Sequence, residues 1–330
     1  MDFSRRRKRL GGAGGHGIML TTSPRDILYY TGYEAEGSLL MVRRDGSAAL
    51  FTNRLENEAE TIKGVDVEFI RDVKDVKGYV RGSAGYNEDY MRAQTVKTLR
   101  KIGVLLKPAA DAFAKIRAVK DEEELEAIRK AVSITRHAFD ARVYGKSEIE
   151  VARDIVCRLM SNGSDTSLPY EPIVASGPNS YFIHHPPSGR KIRKGELVIQ
   201  DSAARYRGYC ADVTRTYSEG CGHEQKKIVD DVLEIKSELT DFIECGITMK
   251  QAQKKYKQLT EKRRRSVMHG FGHGVGLDVH ELVPGKLEKG MVITLEPGIY
   301  EKNIGGCRVE DMLLITRSKP KILTKTIPCR

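Results

Sequence analysis

The sequence predicts an α+β protein: a small α/β N-terminal domain over residues 1–110, then a larger domain over 111–330 built from two related halves. Three observations lead there. A length of 330 residues exceeds what one compact core usually serves. Lys107-Pro108 interrupts an alternation of short apolar runs and helical stretches. And Lys194-Gly195-Glu196-Leu197-Val198-Ile199-Gln200-Asp201 is echoed by Lys289-Gly290-Met291-Val292-Ile293-Thr294-Leu295-Glu296.

Residues 1–17 hold the basic run Arg5-Arg6-Arg7-Lys8-Arg9 and then Gly11, Gly12, Gly14, Gly15 and Gly17. They read as a flexible, frayed lead-in. Gly12, Gly14 and Gly17 match GxGxxG in spacing only. A dinucleotide fingerprint follows a strand and opens a helix, whereas these glycines follow a charge cluster and precede the strand-like Ile18-Met19-Leu20. Leu39-Leu40-Met41-Val42 and Ala48-Ala49-Leu50-Phe51 read as strands joined by the turn Arg44-Asp45-Gly46. Glu56 to Ile62 reads as helix and Val65 to Ile70 as strand.

Beyond Pro108, Asp121-Glu122-Glu123-Glu124 opens a long helix, its acids suited to the positive end of the helix dipole. Leu125, Ile128, Ala131, Val132, Ile134 and Ala138 follow at near-helical spacing. Each half then repeats one plan. A helical region, 121–160 or 223–262, precedes a Lys-Gly strand that ends on a carboxylate. A second strand brings a second carboxylate: Tyr209 to Tyr217 carries Asp212, and Cys307 to Ile315 carries Glu310. The two halves are expected to face each other across a pseudo-two-fold axis.

Composition narrows the function classes. Hydrophobic residues make up 40% and charged residues 31%, as in a soluble globular enzyme. No apolar run approaches the roughly 20 residues that span a bilayer, and Met1 to Arg5 lacks the apolar stretch of a secretion signal. A cytoplasmic location without membrane partners is the expectation. The six cysteines form no CxxC pair, so neither a zinc ribbon nor a redox dithiol is indicated. The net charge of +11 gathers partly in 5–9 and in Lys262-Arg263-Arg264-Arg265. Without aromatic interleaving, these read as a frayed arm and a solvated helix end, and a nucleic-acid partner is not expected.

The acids carry the chemistry. Leu197-Val198-Ile199 is a continuous apolar run, hence a buried strand. Asp201 and Glu296 therefore end buried strands. Converging buried carboxylates repel one another and take up protons. Two divalent cations sharing carboxylates about 3.5–4 Å apart remove that penalty. The alternative is salt-bridged acids, paired with Arg215 or Arg308. Histidines favour the metal. His269-Gly270-Phe271-Gly272-His273-Gly274-Val275-Gly276 places two imidazoles four apart. Glycine costs about 1 kcal/mol in a helix interior, so this backbone is extended or looped. His280-Glu281 follows, and His184-His185-Pro186-Pro187 precedes the Asp201 strand.

These motifs carry a resemblance. Asp201, Cys210-Ala211-Asp212-Val213-Thr214-Arg215-Thr216, Gly272 to Leu277 with His280-Glu281, Thr294 to Tyr300 and Gly305 to Asp311 resemble the pita-bread (creatinase/aminopeptidase) metallopeptidases. That superfamily includes aminopeptidase P, prolidase, methionine aminopeptidase and creatinase. Ser23-Pro24, Tyr29 to Tyr33, and Arg117 to Glu124 resemble its Xaa-Pro branch, so the likeness covers nearly the whole chain.

The resemblance implies hydrolysis of the bond preceding proline in dipeptides or short peptides by a metal-bridged hydroxide. Asp201 would bind one metal, Asp212 and Glu310 both, and His273 and Glu296 the other. Two divalent ions per subunit are implied; the oxygen-rich set suits manganese or cobalt, with iron or zinc admissible. His184, His269, His280 and Glu296 match catalytic residues, and Tyr300 and Arg308 match substrate-binding residues. A homodimer is implied as well. Two departures stand out: Ala203 replaces the family's usual glycine, and the N-terminal domain's opening helix looks shortened or absent. Methionine aminopeptidase shares the ligands but normally lacks a domain like 18–105. A non-enzymatic binding module on this fold is the third reading, and the intact ligand set speaks against it.

Overall fold

The computed structural model describes residues 1–13, 15–140 and 142–328. Gly14 of the glycine-rich segment and Cys329 lie outside the described residues. The chain forms two compact units, Met1–Arg117 and Ala118–Arg330.

The first unit is one six-stranded mixed sheet with helices. Its strands are β1 (Ile18–Thr21), β2 (Leu39–Arg43), β3 (Ala48–Thr52), β4 (Asp66–Phe69), β5 (Ser83–Tyr86) and β6 (Leu105–Pro108), in the order β4-β3-β2-β1-β5-β6. The hairpin β2–β3 turns at Asp45, whose carboxylate accepts from the Ser47 amide at 2.9 Å. Lys107-Pro108 does not break the pattern as expected. It ends β6, an edge strand, where proline's missing N–H costs no ladder bond.

The basic lead-in is corrected. Phe3–Ala13 is a helix, α1. Arginine, lysine and leucine are good helix formers, and Asp2 Oδ1 caps the start by accepting from the Arg5 amide at 2.9 Å. One face is buried, with Arg6, Arg7, Leu10 and Gly11. The Arg7 guanidinium donates to the carbonyls of Gly46, Tyr30 and Gly64 at 3.2, 2.9 and 2.9 Å. Arg6 lies 4.2 Å from the Tyr29 ring centroid. The opening helix is therefore present, and its arginines satisfy carbonyls of distant turns. A second helix, α2 (Pro24–Thr31), starts on a Ser23 cap, and α3 (Ala93–Lys101) and α4 (Ala110–Ala118) complete the set.

The second unit repeats its plan in detail. Helices α5 (Glu122–Thr135) and α6 (Glu148–Ser161) precede the first half; α7 (His223–Phe242) and α8 (Met249–Lys262) precede the second. Asp121 and Glu124 form the capping box that starts α5. In the first half β7 (Ile173–Ser176) pairs with β8 (Val198–Ser202). The short hairpin β9 (Arg205–Tyr206) and β10 (Tyr209–Cys210) follows, and then β11 (Val213–Tyr217) returns antiparallel to β8. In the second half β12 (Val292–Leu295) is followed by the hairpin β13 (Gly298–Glu301) and β14 (Gly305–Arg308). Then β15 (Asp311–Leu314) pairs back with β12, and β16 (Lys321–Ile322) pairs with β15. The expected single second strand of each half is thus two strands. The acid sits in each break: Asp212 between β10 and β11, Glu310 between β14 and β15.

The second basic run is a solvated helix end only in part: Lys262 and Arg264 are exposed, whereas Arg263 and Arg265 are held by acids. Arg263 meets Glu234 and Glu238 at 2.8 and 2.7 Å, and Arg265 meets Asp231 and Glu301 at 2.9 and 3.0 Å. Among the described residues, no helix is long and apolar enough to cross a membrane.

The docking of α1 is testable. Arg7→Met keeps the aliphatic stem and strips three carbonyls, those of Gly46 and Tyr30 in buried bonds, of their donor. We expect a loss of about 3 kcal/mol in urea unfolding of the full chain; an unchanged midpoint would restore the frayed-arm reading.

Candidate metal centre

Two strand pairs and one glycine-rich loop build the site. Asp201 lies in β8 opposite Thr214 of β11, and Glu296 directly follows β12. Residues 269–276 run as irregular backbone laid against β12. The His273 carbonyl accepts from the Thr294 amide at 2.7 Å, and Val275 donates to Val292 at 3.0 Å. This approach needs glycine. A Cβ on Gly272 would lie 2.2 Å from the Thr294 carbonyl oxygen, and one on Gly274 would lie 2.6 Å from that of Glu281.

A cavity of about 600 Å³ collects the side chains. Asp201, Asp212, His273, Glu296 and Glu310 all line it, with His184, His269, His280 and Arg308. Ligand atoms of Asp212, His273 and Glu310 lie within 4.8 Å of one another. His273 Nε2 stands 3.6 Å from Asp212 and 3.5 Å from Glu296. Its Nδ1 faces the Gly274 carbonyl at 3.1 Å, which fixes the proton there and turns the Nε2 lone pair toward the carboxylates. Burial and the nearby His280 push the His273 imidazole down to about 4, so it is neutral at pH 7.

The carboxylates are strained by charge. Burial first, then the charge of Asp201, lifts Asp212 well above the usual range. Burial and Asp212 do the same to Glu310, and burial and Glu310 to Glu296. Arg308 pairs with Asp201 at 2.7 Å, as the salt-bridge alternative anticipated. Yet it is the only guanidinium lining the cavity among the described residues, and it faces four carboxylates. Arg215 does not help: its guanidinium pairs with Asp311 at 2.8 Å. Divalent cations fit this donor set of four carboxylates and one inward imidazole.

Tyr300 does not line the cavity. It is buried, and its hydroxyl accepts from Arg308 at 2.8 Å and stands 3.0 Å from His269 Nε2. His269 Nδ1 faces the Gly270 carbonyl at 2.8 Å, so Nε2 accepts from Tyr300. Burial and Arg308 hold the His269 ring down to about 4. Tyr300, behind the cavity wall, thus links the cavity-lining Arg308 and His269 in one chain of hydrogen bonds. His280 meets His273 edge-on, ring centroids 4.1 Å apart.

Sequence reading missed Tyr170 and Thr214. The Tyr170 hydroxyl lies 2.5 Å from both Asp201 Oδ1 and Asp212 Oδ1. Thr214 accepts from Arg308 at 3.2 Å and donates to Glu310 at 2.9 Å. Pro169 and Pro172 mark a rigid turn around Tyr170, but nothing in the sequence marks its hydroxyl as a carboxylate partner.

The comparisons with known proteins agree with this geometry. The pattern of metallopeptidase family M24 matches residues 126–317, and that of the Creatinase/Prolidase N-terminal domain matches 5–119. The chain belongs to metallopeptidase family M24. It is 31% identical to an Xaa-Pro dipeptidase of Pyrococcus horikoshii over 94% of this chain and 92% of that protein. An Xaa-Pro dipeptidase from Bacillus anthracis superposes with a TM-score of 0.90 at 26% identity, covering 100% and 99% of the two chains. An X-Pro aminopeptidase from Thermotoga maritima does so at 0.86 and 25% identity, covering 98% and 99%. This M24 protein is accordingly a metallo-exopeptidase on the pita-bread fold, in the Xaa-Pro dipeptidase and aminopeptidase P branch, and its family uses divalent metal ions.

Two outcomes follow for this M24 site. Carboxyls lifted above their ordinary values of 3.8 and 4.5 hold protons in the metal-free fold that the unfolded chain has lost. Their contribution to stability is full below those values and is lost as pH rises through the raised ones. Cation uptake at a pH below the raised values therefore releases protons. Calorimetry of manganese binding in buffers of different ionisation heat reads that release directly; a zero count would contradict the raised carboxyls. Gly272→Ala forces the loop off β12, and manganese uptake measured by the same titration falls sharply.

Proposed function

We propose that this chain hydrolyses the peptide bond preceding proline in dipeptides or short peptides, with two divalent cations, manganese or cobalt first, held by Asp201, Asp212, His273, Glu296 and Glu310. One observation carries the reading: three buried carboxylates, the half-buried Glu296 and one inward-facing imidazole line a single cavity with one guanidinium to balance them. The names of the relatives supply the substrate class.

When bound, the cations supply Lewis acidity to a water nucleophile and to the scissile carbonyl. Asp212 and Glu310, whose ligand atoms cluster with His273, would serve both cations. Asp201 would serve one and Glu296 with His273 the other. His280, held edge-on against His273, offers an N–H to the developing oxyanion. His269 has both ring nitrogens engaged, so it forms a fixed neutral wall. His184 lines the same cavity and is the imidazole we assign to orienting the peptide. Arg308 and Tyr300, named as substrate-binding from the resemblance, act here through His269 and Asp201.

The bond before proline is a tertiary amide without an N–H. Its nitrogen can only accept, so it must be protonated to leave. We assign that proton relay to the Glu296 carboxylate, which lines the cavity 3.5 Å from His273.

The full chain loaded with manganese should release proline from Ala-Pro or alanine from an Ala-Pro-X peptide, and should leave Ala-Ala intact. Which of the first two reacts separates dipeptidase from aminopeptidase. Failure on both sinks the proposal. His273→Ala should remove most activity and one metal equivalent, read by elemental analysis; keeping both would remove His273 from the ligand set.

A further inference from the structure

Glu148 is the first residue of α6 and has no solvent-exposed surface. An acid at a helix start ordinarily faces water and the helix dipole. This one is enclosed by donors from two other places in the chain. The Ser176 amide and hydroxyl each reach Oε1 at 2.7 Å. The Asn179 side-chain amide lies 3.1 and 3.0 Å from the two oxygens. The Ser188 amide and hydroxyl reach Oε2 at 3.1 and 2.5 Å. Five donor atoms against about four lone-pair sites saturate the carboxylate.

The two anchored ends enclose the segment that faces the metal centre. Between Ser176 and Ser188 run Ile183, His184, His185, Pro186 and Pro187, all lining the cavity. Ends this close on an intervening stretch this short make an Ω-type loop. The choice of Ser188 has a chemical reason. Pro186 and Pro187 carry no N–H, so Ser188 offers the first backbone donor after His185. The first two amides of α6 complete the clasp from the other side: Glu148 donates to the Arg190 carbonyl at 3.1 Å and Ile149 to that of Ser188 at 3.0 Å. Inside the loop, the Ile183 carbonyl accepts from Arg308 at 3.3 Å.

We propose that Glu148 is a positioning residue: its carboxylate closes the 176–188 loop and so sets where His184 stands over the metal centre. Glu148 touches neither the cavity nor the proposed ligands, and it acts through the loop alone. The inference rests on the peptidase reading only where it invokes activity.

Hydrogen exchange separates the two. In the full chain without added metal, Glu148→Gln presents an N–H₂ where a second acceptor stood. Amides within 177–188 should then exchange at least about tenfold faster, while those of β8 and β11 stay unchanged. Ser188→Ala and Asn179→Ala each remove one donor and should loosen the same amides by less; they carry the test should the Glu148 variant fail to fold. In the manganese enzyme, E148Q should lower kcat/KM on a proline peptide by up to about 100-fold, the cost of a small misplacement of a reacting group. Manganese uptake should be unaltered.

The decisive arm is the double variant. E148Q combined with His184→Ala should be no slower than His184→Ala alone, within about twofold. Multiplying effects, unchanged exchange in 177–188, or loss of manganese uptake would each overturn the assignment. Wild-type protein inactive on every proline peptide would overturn the peptidase reading and leave the exchange result to decide the clasp.

Discussion

The site is organised by one constraint: negative charge buried without enough positive charge from the chain. The contrast between two neighbouring residues makes the point. Burial alone would raise Asp311, but Arg215 and Lys236 overcome it and hold its carboxyl below the usual range. Glu310, one residue earlier and equally buried, is pushed the other way by burial and by Asp212. The backbone gives one acid its cations and withholds them from the other. A buried carboxylate left in that state either takes up protons or binds a cation from outside. Three of them, with the half-buried Glu296, around one inward-facing imidazole leave little room for any other use.

The scaffold delivers that arrangement through repetition. Each half interrupts its returning strand with a short hairpin, and the acid sits at the break, where a side chain can turn out of the sheet's alternation. The strand before it supplies the second acid. Behind the break, the Asp311 cluster is a rigid base. Arg215 donates to the Glu310 carbonyl at 2.5 Å and to the Ile327 carbonyl at 2.7 Å, so the chain's last described turn buttresses the ligand-bearing backbone. The charge conflict in front of Glu310 is thus sustained by a satisfied network behind it, which is how strained sites persist.

Much of this was legible because it repeats at the level of residue type. Lys-Gly, an apolar run and a terminal acid specify a turn, a buried strand and a carboxylate at its end, twice over. The glycines around His273 announced a backbone that could not be helix, and close contact with Thr294 and Glu281 is what they serve. What escaped reading depends on contacts between distant residues. Tyr170 meets acids 31 and 42 positions later. Tyr300 looked like a site residue and is one layer back, because Arg308 and His269 both claim its hydroxyl. Local spacing carries strand ends and loop character; it does not carry which of two plausible partners a buried donor finds.

The basic runs show the same limit, and with it a caution about net charge. A charge of +11 suggests an affinity for polyanions only if the cations face water. Here Arg6 and Arg7 are buried against carbonyls and an aromatic ring, and Arg263 and Arg265 answer acids on α7 and β13, while Arg5, Lys8, Arg9, Lys262 and Arg264 stay exposed. The expectation that these runs mark no nucleic-acid surface rested on missing aromatic partners and an assumed frayed arm. The assumed arm is a docked helix, with Arg6 and Arg7 on its buried face and Arg5, Lys8 and Arg9 on its exposed one. Arginines that hold a helix and a turn in place cannot be released to a phosphate backbone without undoing the fold around them.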